Sequence, residues 1–190
     1  METRRRALAA TLLSVAVLLL ASPVQAQTIY PPQGGSGAGG WEPYITDTSL
    51  SIPTSGTSIE VLRTFTLPAN YFPTLYRGFR LVTVAVGAAN TNNKTLAVRK
   101  TDVSGTVISS SLINASGAHT MITLECYPQS ATTLMCFGSQ GLHNTVGNVV
   151  NFQLTSLDFT ADLAFVVCGT TATAAADMSL TMLQVQFFRP

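Results

Sequence analysis

From Ile59 to Phe188 the apolar residues come in short bursts that alternate with Thr, Ser, Asn, Gln and Arg, and Asn, Asp, Gly or Pro interrupt them at short intervals. Alternation with a period of two places successive side chains on opposite faces of a pleated strand, and no segment repeats at 3.6 residues for three or four helical turns. The pattern predicts strands over Ile59 to Leu67, Phe79 to Gly87, Thr95 to Lys100, Thr106 to Leu112, Thr120 to Tyr127, Thr133 to Gly138, Val149 to Thr155, Ala164 to Gly169 and Met178 to Phe188. Connections such as Ala88 to Asn93 and Asp102 to Gly105 are too short for the crossover that parallel neighbours need, so the pairing is expected to be antiparallel. An all-β sandwich or barrel follows.

Two strands lack a polar face. In Phe79 to Gly87, one side carries Phe79, Leu81, Thr83 and Ala85 and the other Arg80, Val82, Val84 and Val86. In the last strand Leu180 and Met182 point one way, and Leu183, Val185 and Phe187 the other unless a bulge intervenes. A two-layer sandwich buries only one face of each sheet, so the second face is expected either to meet another subunit or to be covered by a loop. Leu183, Val185 and Phe187 are the candidate subunit interface, with Leu180 and Met182 as the alternate set.

The amino terminus has a different character. Arg4, Arg5 and Arg6 precede an apolar run from Ala7 to Ala21, and Val24-Gln25-Ala26 offers small residues for a signal peptidase, so residues 1–26 read as an export signal cut before Gln27. The run is shorter than the roughly 20 residues that span a bilayer, so no transmembrane segment is expected after cleavage. Residues 27–56 read as a flexible Pro/Gly/Ser-rich tail, with PPQGGSGAGG near its start and room for one short strand over Tyr44 to Ile52, and residues 57–190 are expected to form the sandwich domain. Without Arg4, Arg5, Arg6 and Glu2 the chain keeps seven basic and eight acidic residues, a net charge of minus one. Nucleic acid is therefore excluded as a partner, because binding it takes clustered cations. Only 10% of the chain is charged, and the 24 threonines beyond residue 26 supply polarity in a β-branched form that suits strands.

The segment FTLPANYFPTLYRGFRLVTVAVGAANTNNKTLAVR, with LDFTADLAFVVCGTTATAAADMSLTMLQVQFF further on, resembles the jelly-roll domains of phage tail-fibre, tail-spike and other virion surface proteins. The shared elements are the LPAN turn, a Gly before the next strand, the KTL strand start, the D-x-T-A-D approach and the A-A-x-D turn into the final strand. The resemblance implies an antiparallel two-sheet jelly-roll β-sandwich, a homotrimer, and a place at the head or knob of a fibre. It brings no catalytic residues with it.

Candidate chemistry is sparse. Cys126 and Cys136 flank a segment that would close as a hairpin near Ala131, which sets them opposite each other and allows a disulfide; three buried thiols are the equal alternative, with Cys168 buried and free. His119 and His143 lack metal-ligand spacing, Gly138-Ser139-Gln140-Gly141 is not a nucleophile elbow, and Asp158 and Asp162 read as turn residues in preference to calcium ligands. The Asn93-Lys94-Thr95 and Asn114-Ala115-Ser116 sequons carry little weight behind a bacterial-looking signal. No cofactor or metal is expected. Trp41, Tyr44, Tyr71 and Tyr76 could stack on sugars if exposed, although aromatics more often fill cores. The sequence thus points to an exported, non-catalytic structural or surface-recognition module with a glycan or protein receptor on a cell surface. A secreted bacterial adhesin or glycan-binding β-sandwich is the alternative.

Overall fold

The structure, a computed structural model, describes residues 40–72, 77–113, 118–142, 149–171 and 175–189, with the side chains of 142, 149, 150 and 189 excepted. The export signal, the tail up to residue 39, Tyr76, His143 and the Asn114 sequon lie outside the described residues. Eleven strands follow in chain order: β1 (Gly40–Asp47), β2 (Ile52–Pro53), β3 (Glu60–Leu67), β4 (Phe79–Gly87), β5 (Lys94–Lys100), β6 (Val107–Ile113), β7 (His119–Ser130), β8 (Thr133–Leu142), β9 (Val149–Leu154), β10 (Leu163–Thr171) and β11 (Met178–Arg189). The larger sheet runs β1-β11-β4-β7-β8-β9 with β2 beside β11, and the smaller runs β3-β10-β5-β6. Every pairing is antiparallel.

Set aside β2 and the added β8 and β9, and the remaining eight strands form two four-stranded sheets, β1-β11-β4-β7 and β3-β10-β5-β6, crossing from one to the other at every step except the β5–β6 hairpin, which is the jelly roll. All nine strands expected from alternation are present. Their ends differ where proline sits. Pro128 lies inside β7 because a bulge between Pro128 and Ser130 relieves the ladder of its missing N–H, so β7 continues to Ser130. Pro43 lies in β1, an edge strand with its own bulge, so this strand begins at Gly40 and ends at Asp47 where the sequence suggested Tyr44 to Ile52.

The inner face of the larger sheet meets the smaller sheet across one apolar core. Phe65 and Phe165 of the smaller sheet stack at 5.1 Å, and Phe79 of the larger sheet lies 5.8 Å and 5.3 Å from them. Around these pack Leu81, Ala85, Ile122, Leu124, Leu134, Leu96 and Val98, all essentially buried. Offset and edge-on rings of this kind add to the area term, which is about 25 cal/mol for each Å² removed from water.

The last strand turns the expected subunit contact inward. Leu180, Leu183, Val185 and Phe187 all face the chain's own core, because a bulge between Leu180 and Met182 inserts one residue and switches the parity of β11. The bulge is pinned on both sides: Thr83 Oγ1 donates to the Met182 carbonyl and Thr181 Oγ1 to the Val84 carbonyl, each at 3.1 Å. Met182 is thereby turned to the outer face, beside Val84.

Two pairs of remote turns are locked together. Asn70, at φ 59°, donates from its backbone N to the Phe159 carbonyl, and Ala69 N donates to Asp162, so the LPAN turn docks on LDFTAD. At the other end Lys94, fully buried, donates through Nζ to the Asn92 carbonyl at 2.7 Å, to Asn90 Oδ1 at 2.7 Å and to the Asn90 carbonyl at 3.3 Å. The amide nitrogens of Asn90 and Asn92 then donate to the two oxygens of Asp177 at 2.8 Å and 2.9 Å. The loop after β4 is thus tied to the turn that enters β11.

Candidate functional site

Alternation along β4, β7, β8 and β11 sends every second side chain to the outer face of the larger sheet, and the register lines them up in rows across the strands. One row reads Met182, Val84, Met121, flanked by Val82 and Val86; all are at least partly exposed, with Met121 at 41%. These are the positions that gave Phe79 to Gly87 its second apolar face. Their neighbours do not cover them completely.

The other end of the same face is aromatic and ionic. Trp41 lies edge-on to Phe188 at 5.4 Å and to Tyr127 at 6.2 Å, and the Arg80 guanidinium sits 4.6 Å above the Trp41 ring. Arg80 Nε donates to Glu125 Oε1 at 2.7 Å, its Nη2 donates to the same oxygen, and the Tyr127 hydroxyl donates to Glu125 Oε2 at 3.1 Å. Burial, then the Glu125 hydrogen bond and charge, push the Tyr127 phenol above its ordinary value, so it stays protonated and a donor. Arg80 and Glu125 keep about a third of their side chains exposed, at 33% and 34%. Phe137, opposite Glu125 in the next strand, is 47% exposed.

Two features below the surface hold this end in shape. Gly78 lies against the Tyr127 ring: a methyl group there would stand 2.7 Å from a ring carbon and 2.8 Å from the Cys126 carbonyl oxygen. Cys126 and Cys136 face each other directly in the β7–β8 ladder and are joined by a disulfide inside the core, while their neighbours Glu125, Tyr127, Met135 and Phe137 point outward. Thiol titration of unfolded, unreduced protein is expected to find one thiol, that of Cys168; three would remove the bridge. Reduction should lower stability by at most about 2–3 kcal/mol, the entropy of so small a closed loop.

The other sequence candidates separate. Tyr44 stacks on Phe187 at 4.2 Å and donates its hydroxyl to the Thr66 carbonyl, and Tyr71 packs on Phe187 at 4.2 Å and donates to the Gly78 carbonyl, so both belong to the core margin. Only Trp41 of the described aromatics singled out by sequence lies on the open face. Asp158 caps its own turn through Thr160 and Asp162 anchors Ala69; the Thr160 hydrogen bonds hold the Asp158 carboxyl below its ordinary value. Among the described residues no three His, Cys, Asp or Glu side chains gather as metal ligands. Cys168 is buried and unbridged, and burial pushes its thiol up, which leaves it a poor nucleophile.

Fold and face together define a jelly-roll β-sandwich whose larger sheet leaves a mostly uncharged outer surface open. No protein-family model and no curated protein matches the chain. Among solved structures it is similar to the CBM2 module of the evolved Dit of Lactobacillus casei BL23 phage J-1, at 10% identity and a TM-score of 0.41, covering 82% of this chain and 81% of that one. Peanut lectin is similar at 10% identity and a TM-score of 0.34, over 85% and 95% of the two chains. A chain of the T13 particle of the IBDV virus is similar at 10% identity and a TM-score of 0.34, over 88% of this chain and 36% of that one. Likenesses at these values bear on neither ligand nor activity.

Proposed function

We propose that this chain is an exported, non-catalytic surface module that self-associates through the outer face of its larger sheet and presents that assembly for recognition. The observation that carries the reading is the row Met182, Val84 and Met121, with Val82 and Val86 beside it, left partly open on a stretch of sheet without a charge between Arg80 and His119. The row and its flanks take up about 17 Å along β4 and three neighbouring strands, and a contact centred there leaves the Trp41, Arg80 and Glu125 end of the face uncovered. Three copies around a closed axis remove the row from water, and the threefold number comes from the resemblance to fibre heads.

Light scattering on the exported chain at tens of micromolar is expected to give three times the chain mass. A single-chain mass overturns self-association, and a two-chain mass replaces the threefold axis with a twofold one. A secreted adhesin with a glycan-binding face is the second reading, favoured by the aromatic and ionic end of the same sheet.

A further inference from the structure

We infer that the end of the open sheet formed by Trp41, Arg80, Glu125, Tyr127, Phe137 and Phe188 is a binding site for a neutral carbohydrate chain; this rests on the surface-recognition reading above and assigns it a ligand class and a place. The charge of the patch decides the class. Arg80 and Glu125 cancel each other within one hydrogen-bonded pair, so the site attracts neither anionic nor cationic ligands, and complementarity is to an uncharged molecule rich in hydrogen-bonding groups.

The polar groups are fixed before any ligand arrives. Glu125 takes two N–H donors from Arg80 and one hydroxyl from Tyr127, which sets its carboxylate plane, and a guanidinium has five donors of which two go to Glu125. What remains on both groups is a rigid fork of donors and acceptors, about a third exposed, suited to adjacent hydroxyl groups. Apolar surface lies on both sides of the fork: Phe137 beyond Glu125 in the same row, and the Trp41, Tyr127 and Phe188 cluster behind it. A pyranose offers the matching combination, C–H groups on its ring faces and hydroxyls on its rim. Aromatic rings with few rotatable bonds supply that contact at low entropic cost.

The site reaches further along the sheet through amides. Tyr127 pairs with Met135, which pairs with Gln153, and Gln153 Nε2 donates to Gln129 Oε1 at 2.6 Å. Gln186 lies beside Arg80 on the other flank. Side chains on neighbouring strands repeat about every 4.8 Å, so a flat surface of this type favours an extended chain over a single enclosed sugar. Gly78 is a positioning residue, because any side chain there would displace the Tyr127 ring.

The chain has one tryptophan, so its emission reports directly on this site. The exported full chain is tested on immobilised neutral, amino-sugar and sialylated oligosaccharides, and the best neutral hit is then titrated while Trp41 emission is followed. Saturable binding of a neutral oligosaccharide with a change in emission is expected. E125Q and Y127A should each weaken it at least tenfold while melting behaviour and far-ultraviolet circular dichroism stay close to those of the unchanged protein. The inference is overturned by a silent array, by binding confined to sialylated chains, by affinity indifferent to both substitutions, or by capture of a protein receptor that no glycan competes with. Light scattering on the same sample separates the two proposals: an oligomer with a silent array loses only the sugar site, and a monomer that binds sugar loses only self-association.

Discussion

Val185→Asp is expected to yield no folded protein, whereas Val84→Asp should yield a folded chain that runs as a monomer. The two valines sit on adjacent strands of one sheet and differ only in the side to which they point. Val185 is fully buried, with Ile45 and Leu81 on the neighbouring strands beside it, all in the core. The described residues beside it offer an aspartate no cation to pair with, and an unpaired carboxylate taken out of water costs more than most single substitutions, enough to consume a total stability of about 5–15 kcal/mol. Val84 stands on the outer face between Met182 and Met121, where a carboxylate stays wet in the single chain but would be trapped between copies. Circular dichroism and light scattering on both variants decide the matter. A folded, monomeric Val185→Asp protein would return β11 to the subunit interface and refute the placement of its parity.

Lys94→Met should be the most damaging exchange outside the apolar core, at about 3 kcal/mol or more in denaturant unfolding, despite similar length and volume. The ammonium is fully buried and satisfies two backbone carbonyls and the Asn90 side-chain oxygen. A thioether leaves those acceptors dry and unpaired, and each such loss costs about 1–3 kcal/mol. A change below about 1 kcal/mol would mean that the network only decorates the turn. The same network gives acid sensitivity. The hydrogen bonds from Asn92 and Asn90, and then the Lys94 charge, hold the Asp177 carboxyl below its ordinary 3.8. A depressed folded value means that the stabilisation is complete above the unfolded value and is lost as pH falls through the folded one. Glu60, Asp102 and Asp158 are depressed as well, each by hydrogen bonds from nearby serine or threonine, and act in the same direction. The melting temperature should therefore fall below about pH 4, and Asp177→Asn should flatten that fall in part.

The strands were legible because a period of two is a local property: β4 shows alternating burial from Phe79 to Gly87, as its residues suggest. The motifs behind the fibre-head resemblance were legible as strings and not as contacts. NTNNK and AAAD lie more than 80 residues apart, and their meaning is the hydrogen bonds from Asn90 and Asn92 to Asp177. The candidate interface on β11 failed because one inserted residue at the Thr181 bulge reverses every later side chain, and no composition marks that position. By sequence Tyr44 and Tyr71 are surface candidates like Trp41, and only packing against Phe187 distinguishes them.

What the sequence determined by itself was what neighbours along the chain determine: strand existence, turn positions, the low charge and the presence of a second apolar face on Phe79 to Gly87. Tertiary structure decided what depends on register between strands. It set Arg80 opposite Glu125, brought Trp41 at the start of the described chain against Phe188 near its end, and chose which face of β11 is wet. Register is a sum over cross-strand hydrogen bonds, bulges and core packing among residues up to about 150 positions apart here, so no local pattern contains it, and a slip of one residue exchanges the two faces of a strand.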